Sequence, residues 1–305
     1  MVSSERNRRQ PRLTPESGRS AALARLAGYP FEVRHSTGAL ARATAAADLA
    51  AAAYAYFSRL FSSVAPDIAL IVADETDWPG RQPYGLAFFS DDGDQIRPGI
   101  VVMPAGGGEL WTAIAEDIRA AAPEGYGELV AAYPDGRGGV DLQPFVDLVT
   151  IHELGHAFEV LGDLRLPTSW LSEIFANLAM HAFVATQQPA RLPTLETLPT
   201  VGAGSHELAV RMRAEGYSTL EELEDHYTGG ADPMSALNYV WFQYRWQRLA
   251  AWLFDADGED GLVRFWNCFH ATDRVPAGDT TAAALAPLLT RQVSESLGRA
   301  IGEWR

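Results

Sequence analysis

The sequence contains two pairs of polar residues at helical spacing in the stretch HELGHAFEVLGDLRLPTSWLSEIFAN, residues 152–177. His152 and His156 are four residues apart, so on a helix both imidazoles project from one face and can bind one metal ion. Glu153 points about 100° around the helix from His152, where it can reach a water on that ion without being a ligand. This arrangement predicts metal-assisted hydrolysis with Glu153 as the general base.

The segment around these histidines, PFVDLVTIHELGHAFEVLG, is apolar on most sides. Such a pattern predicts a largely buried helix, on which unpaired polar side chains are costly. Gly155 lies between the two histidines and leaves room for another element to approach closely. The histidines therefore need partners, and a metal ion would provide one.

Three carboxylates are candidates for the third ligand. Glu159 follows His156 by three residues on the same helix and is better explained as a surface or cap residue, and Asp163 would require the chain to double back at once. Glu173 lies 17 residues after His156 on a second predicted apolar helix, SWLSEIFANLAMHAF, which the intervening loop can lay against the first. We therefore predict that His152, His156 and Glu173 are the metal ligands.

Asn177 follows Glu173 by one helical turn and shares its face. Its side chain could accept a hydrogen bond from the far ring nitrogen of a ligand histidine and so fix the tautomer of that ring. A buried amide with a purely structural role is the alternative. We predict that Asn177 supports the metal ligands.

These residues resemble the signature of the gluzincin metallopeptidases, the clan of thermolysin and aminopeptidase N. HELGH matches the first part of the signature, and SEIFAN matches the second part, a zinc-binding Glu with a polar residue one turn later. The spacing is slightly shorter than in thermolysin-like enzymes, and Asn177 stands where thermolysin has Asp. The resemblance implies a distant member with zinc as cofactor and a peptide or small amide as substrate.

The resemblance also implies a strand that binds the substrate backbone and a residue that stabilises the oxyanion. For the strand, an exposed edge strand beside the HExxH helix, we expect GIVVMPAGGG, residues 99–108. For the oxyanion, we expect Tyr239 or Tyr244, with His226 and Tyr227 as further alternatives. At least one of the first two tyrosines is expected to serve core packing.

Hydrophobic periodicity predicts the helices and strands that must position these residues. The pattern predicts a tail at 1–20, an α+β N-terminal lobe at 21–141 and a helical lobe at 142–305 that carries the metal site, which is a zincin-like fold class with the active-site helix between the lobes. Strands are expected at 68–75, 84–90 and 99–105. Helices are expected at 39–62, 109–121, 143–161, 169–187, 205–215, 219–227, 234–254, 259–270 and 280–304, with loops at 122–141 and 189–200.

Composition restricts the partners and the location. The net charge of −15 disfavours nucleic acid, since a polyanion would be repelled. The single cysteine, Cys268, cannot form an internal disulfide, and the first twenty residues lack the apolar stretch of a secretory signal. The longest apolar run, 43–57, contains Asp48, which disfavours a membrane span. We therefore expect a cytoplasmic protein.

The sequence thus predicts a zinc-dependent metallopeptidase. Two alternatives stay open: a non-peptidase metalloenzyme that uses the same His-His-Glu cage on a small or carrier-bound molecule, with iron as a possible metal, and a binding protein with a structural metal. Against the structural site stands Glu153, because a structural zinc fills its fourth position with a protein ligand and the sequence offers no evident fourth. Nothing in the sequence defines the oligomeric state.

Overall fold

The computed structural model describes residues 23–62, 64–79, 83–91, 99–214, 218–228, 236–270 and 279–304. The tail predicted at 1–20 lies outside these ranges. Buried residues from Val33 in the N-terminal half to Ile301 near the C-terminus belong to one continuous hydrophobic cluster. The predicted small mixed sheet, followed by a helical remainder, is confirmed.

The N-terminal half forms a five-stranded sheet in the order β1-β2-β3-β5-β4. The central strands β2, β3 and β5 are parallel, and the outer strands β1 and β4 each pair antiparallel with their neighbour. Strands β3 to β5 match three predicted strands, whereas β1 and β2 were not predicted because they are short and carry charged residues. The strands are Ala24–Leu26, Glu32–His35, Ile68–Ala73, Phe88–Ser90 and Gly99–Pro104.

The edge of the sheet beside the metal site differs from the prediction. Strand β5, which begins the segment 99–108, is paired on both sides and is therefore an interior strand. Among the described strands, the shorter β4 is the outermost on this side, and it packs against the helix that carries the HExxH motif. The expectation of an edge strand at 99–108 is wrong, because an apolar run reports burial and not the order of strands in a sheet.

The helices largely follow the predicted boundaries, and α1 to α11 span Leu40–Leu60, Gly108–Ala121, Pro123–Ala132, Gln143–Leu161, Ser169–Gln187, Leu192–Gly204, His206–Ala214, Leu220–Thr228, Ala236–Phe269, Ala282–Gln292 and Glu295–Gly302. Two predicted loops are partly helical: 122–141 contains α3, and 189–200 contains a 3₁₀ turn and most of α6. Proline occupies the first turn of both helices. There it starts a helix instead of breaking one, because the first N–H groups have no intrahelical partner.

Helices α4 and α5 carry the metal motif and pack against each other. After α4 ends, Asp163 adopts a positive φ of 59° and turns the chain. Helix α5 begins where the Thr168 side chain accepts a hydrogen bond from the N–H of Leu171 at 3.3 Å. Gly155 allows the close packing, since a Cβ atom at this position would lie 3.1 Å from Cα of Ala176.

The third helix of the site is α9, which packs along α5. Its backbone leaves helical geometry at Gly258, with φ 60° and ψ −157°, so it consists of two helices on either side of a kink. This kink explains the two separate helices predicted for 234–254 and 259–270. Among the described residues, no helix combines the length and apolarity that crossing a membrane requires.

Candidate metal centre

The three predicted ligands converge on one point between α4 and α5. Nε2 of His152 lies 3.1 Å from Nε2 of His156 and 3.2 Å from Oε2 of Glu173. The remaining separation, from Nε2 of His156 to Oε2 of Glu173, is 3.5 Å. The described residues thus bring together a His-His-Glu group that could hold a metal ion, as the sequence predicts.

The spacing of these three atoms fits a tetrahedral metal site. Ligands with bonds of about 2.0–2.1 Å at tetrahedral angles lie about 3.3 Å apart, and zinc sites of this kind use two imidazoles and a carboxylate. The separations of 3.1, 3.2 and 3.5 Å bracket that value. Two imidazole nitrogens that face each other at 3.1 Å also need a cation or a shared proton between them, because two lone pairs repel.

The charges of the side chains around the candidate ligands favour binding of a cation. Burial alone would raise the pKa of Glu173, but the neighbouring His156 and His152 hold it below its usual range. Burial alone would lower the pKa of His156, but Glu173 and Glu159 raise it well above its usual range. The buried carboxylates therefore stabilise positive charge at the point where the ligand atoms meet.

The far side of the His156 ring contacts a second carboxylate. Oε2 of Glu159 lies 3.2 Å from Nδ1 of His156, and Oγ of Ser172 lies 3.1 Å from the same nitrogen. Ser172 also donates a short hydrogen bond to Glu159. The side chain of Glu159 is 1% exposed, so the expectation of a surface or cap residue is wrong. A carboxylate in this position fixes the tautomer and orientation of a ligand histidine.

Asn177 has a different partner from the one predicted. Its Nδ2 donates to the carbonyl oxygen of Glu173 at 2.9 Å and to Oε1 of Gln243 at 2.8 Å, so the predicted contact with a ligand histidine is replaced. Nε2 of Gln243 in turn donates to Oε2 of Glu173 at 2.6 Å. A carboxylate only accepts hydrogen bonds, so this contact fixes the orientation of the Gln243 amide. Asn177 is therefore linked to the candidate ligand Glu173 through Gln243.

Glu153 lies beside the ligands and is not one of the converging group. Its side chain is buried, and burial raises the pKa of its carboxyl group. The backbone N–H of Phe89 in the edge strand β4 donates a hydrogen bond to this carboxylate. The edge of the sheet and the HExxH helix therefore meet at Glu153.

A cavity that is partly open to solvent adjoins His152 and Glu153. Its walls are mostly apolar and come from the segment before β4 and from α2, α4, α5 and α9. Tyr239 and Gln243 line it, and the hydroxyl of Tyr239 accepts a hydrogen bond from Nε2 of Gln243 at 2.9 Å. Tyr239 thus shares a hydrogen-bond partner with the ligand Glu173.

Tyr244 contributes to the cavity wall, but most of its side chain is buried in the core. The side chain is 1% exposed, and its ring packs on Gly202 of α6. The hydroxyl is buried and has no hydrogen-bond partner among the described residues. Of the two predicted tyrosines, Tyr239 is the one connected to the metal ligands, and the position of Tyr244 is that of a core residue.

The remaining candidates lie elsewhere. Asp163 is exposed and pairs with Arg165 at 2.9 Å, so it is not part of the ligand group. The side chains of His226 and Tyr227 lie outside the described residues. Sequence reasoning missed Gln243 and the backbone of Phe89, which approach the site from distant parts of the chain. The four-residue spacing of Tyr239 and Gln243 was the one signal that could have indicated a shared face.

Known proteins provide no further assignment of this geometry. Comparisons with protein-family models, with curated proteins and with solved structures found no match to this chain.

Proposed function

We propose that the protein is a zinc-dependent hydrolase of the gluzincin type that cleaves peptide bonds, with His152, His156 and Glu173 as the metal ligands. The observation that carries this proposal is the position of Glu153. This buried carboxylate stands next to three converging ligand atoms without joining them, and it lines a mostly apolar cavity. A structural zinc site fills its fourth position with a protein ligand, whereas a catalytic site has three protein ligands and an open position, as this group of three would.

A zinc ion, when bound to these ligands, activates a water molecule and polarises a substrate carbonyl. Glu153 takes the proton of the attacking water and delivers it to the leaving amine. Burial raises the pKa of Glu153, which suits a group that must both accept and release a proton. Tyr239 lines the cavity beside Gln243 and is the tyrosine that we expect to donate to the oxyanion.

The edge strand supports a peptide substrate. Strand β4 pairs with β5 on one side, and Phe89 uses its N–H on Glu153. Free backbone groups along an edge strand can pair with an extended peptide, which would lie beside Glu153. We therefore expect the substrate backbone to run along β4.

The test combines metal analysis with a peptide-cleavage assay. Protein purified without added metal is expected to contain one zinc per chain and to cleave members of a mixed peptide library. Glu153→Gln is expected to keep the zinc and to lose at least about 100-fold in kcat/KM. Full activity in Glu153→Gln would refute the mechanism. Stoichiometric iron with no peptide cleavage would favour the non-peptidase alternative.

A further inference from the structure

Two rows of polar side chains face each other between α5 and α9. Asn177 and His181 stand one and two turns after Glu173 on α5, and Gln243 and Gln247 stand one turn apart on α9. The rows are joined by contacts from Asn177 to Gln243 at 2.8 Å and from Gln247 to His181 at 3.3 Å. Gln247 therefore lies one helical turn, about 5.4 Å, farther from the metal ligands than Gln243.

The proton on His181 determines how the Gln247 amide is oriented. Nε2 of His181 lies 3.8 Å from a carboxylate oxygen of Glu196, which favours a proton on Nε2. Nδ1 of the neutral ring is then an acceptor, and the NH₂ group of Gln247 donates to it at 3.3 Å. Burial lowers the pKa of His181 to about 4, which keeps the ring neutral near pH 7.

This orientation leaves the carbonyl oxygen of the Gln247 amide without a donor in the described part of the chain, buried in the wall of the cavity. Gln247 lines the cavity and is 2% exposed, and its Oε1 has no hydrogen-bond partner among the described residues. A buried acceptor without a donor is unfavourable by about 1–3 kcal/mol. A donor brought in by a ligand would remove that cost.

We propose that this end of the cavity binds an aromatic side chain with a neutral terminal donor, of the tyrosine type, and that Oε1 of Gln247 accepts the hydrogen bond of its hydroxyl. The assignment rests on the proposed function in that the cavity adjoins Glu153, and it names the side chain that the hydrolase selects. Gln247 is then a specificity-determining residue.

The lining of the cavity favours this class of side chain. Trp111, Phe145, Val149 and Met180 provide an apolar surface that suits an aromatic ring. An ammonium or guanidinium group would meet a neutral amide oxygen at Gln247, which cannot offset the cost of burying a charge. A phenol combines the apolar ring with a single neutral donor.

The test uses two small probes of nearly equal size, p-cresol and 4-fluorotoluene, of which only p-cresol donates a hydrogen bond. Binding to the full-length protein is measured by ligand-observed NMR titration, with and without zinc. Wild-type protein is expected to bind p-cresol roughly 10-fold more tightly, and Gln247→Met to abolish the preference. The exposed change Gln187→Met serves as the control and should keep it.

Equal binding of the two probes to the wild type would overturn the proposal, and so would a preference that persists in a folded Gln247→Met protein. The wild-type comparison decides the matter alone if Gln247→Met and a second variant, Gln247→Leu, fail to fold. Probe binding requires no bond cleavage. Binding of p-cresol without any peptide cleavage would therefore refute the proposed function only, whereas cleavage of matched Tyr and Phe peptides at equal rates would refute only the selection by Gln247.

Discussion

Oε2 of Glu159 lies 3.2 Å from Nδ1 of His156, on the side of the ring away from the other ligand atoms. Nε2 of the same ring faces His152 and Glu173. The carboxylate of Glu159 therefore contacts the imidazole on the opposite side of the ring. The candidate ligand His156 thus has its orientation set by a residue one turn later on its own helix, with Ser172 of α5 as a second partner.

Removing this support is expected to weaken metal binding. Glu159→Gln keeps the shape of the side chain but loses its charge, and loss of a ligand's hydrogen-bonding partner lowers metal affinity by about 10–100-fold. Competition with a chromophoric zinc chelator measures the change. Glu116→Gln, at an exposed position of α2, is the matched control and should bind zinc as the wild type does. Unchanged affinity in Glu159→Gln would show that Glu159 does not orient the ligand.

Gln243 is expected to matter for metal binding although it is no ligand. Gln243→Met removes the hydrogen bond of 2.6 Å to Oε2 of Glu173 while filling a similar volume. The carboxylate then loses its fixed position, and we expect zinc affinity to fall by about 10-fold. Isothermal titration calorimetry with zinc measures the loss. A variant that binds zinc as tightly as the wild type would show that Gln243 does not contribute to metal binding.

The two tyrosines are expected to behave differently when the hydroxyl is removed. Tyr239→Phe should lower kcat by about 10–100-fold with little effect on stability, because Tyr239 lines the cavity beside Gln243. Tyr244→Phe removes a buried hydroxyl that has no partner among the described residues, so stability should be unchanged or higher. Peptide-cleavage kinetics and thermal denaturation of both variants provide the measurements. A loss of kcat in Tyr244→Phe alone would reverse the assignment.

Stability is expected to fall in mild acid because of His181. Burial lowers the pKa of this residue to about 4 in the folded chain, below its ordinary value of 6.5. The unfolded chain therefore binds the proton first as the pH falls, so the stabilisation is complete above pH 6.5 and is lost progressively toward pH 4. The loss between about pH 7 and pH 5 amounts to about 2 kcal/mol.

Urea denaturation at both pH values measures this loss in the wild type and in His181→Gln. Glu196 and Asp255 face His181 and titrate in both proteins, so the difference between the two pH dependences isolates the histidine. A variant with the same pH dependence as the wild type would exclude His181 as the source.

The convergence of the three candidate ligands could be predicted because its signal is local. A four-residue spacing on an apolar helix places His152 and His156 on one face whatever the rest of the chain does, and a short connection brings Glu173 alongside. The role of Glu159 was hidden because the sequence does not reveal that Ser172 and His156 enclose its carboxylate. The contact between the Gln243 amide and Glu173 could not be predicted for another reason, because the two residues are 70 positions apart in the sequence.

The order of strands in the sheet also could not be predicted from the sequence. Aliphatic runs predicted strands β3 and β5, but nothing in GIVVMP indicates that β4 would lie outside it. Strand order depends on the pairing of whole segments and not on their composition. The prolines of α6 were likewise interpreted as loop residues, but Pro193 lies in the first turn of the helix and Pro199 is accommodated inside it.

The short distance along the chain between the metal ligands has a consequence for folding. His152 and Glu173 are separated by 21 positions, and both helices of the pair are contiguous in sequence. Contacts of low sequence separation close with little loss of chain entropy, so the helical hairpin can form early. The cavity also requires residues of α9, so it forms later in folding than this helical hairpin. Under the proposed function, a nascent chain would thus acquire its affinity for zinc before its ability to recognise a substrate.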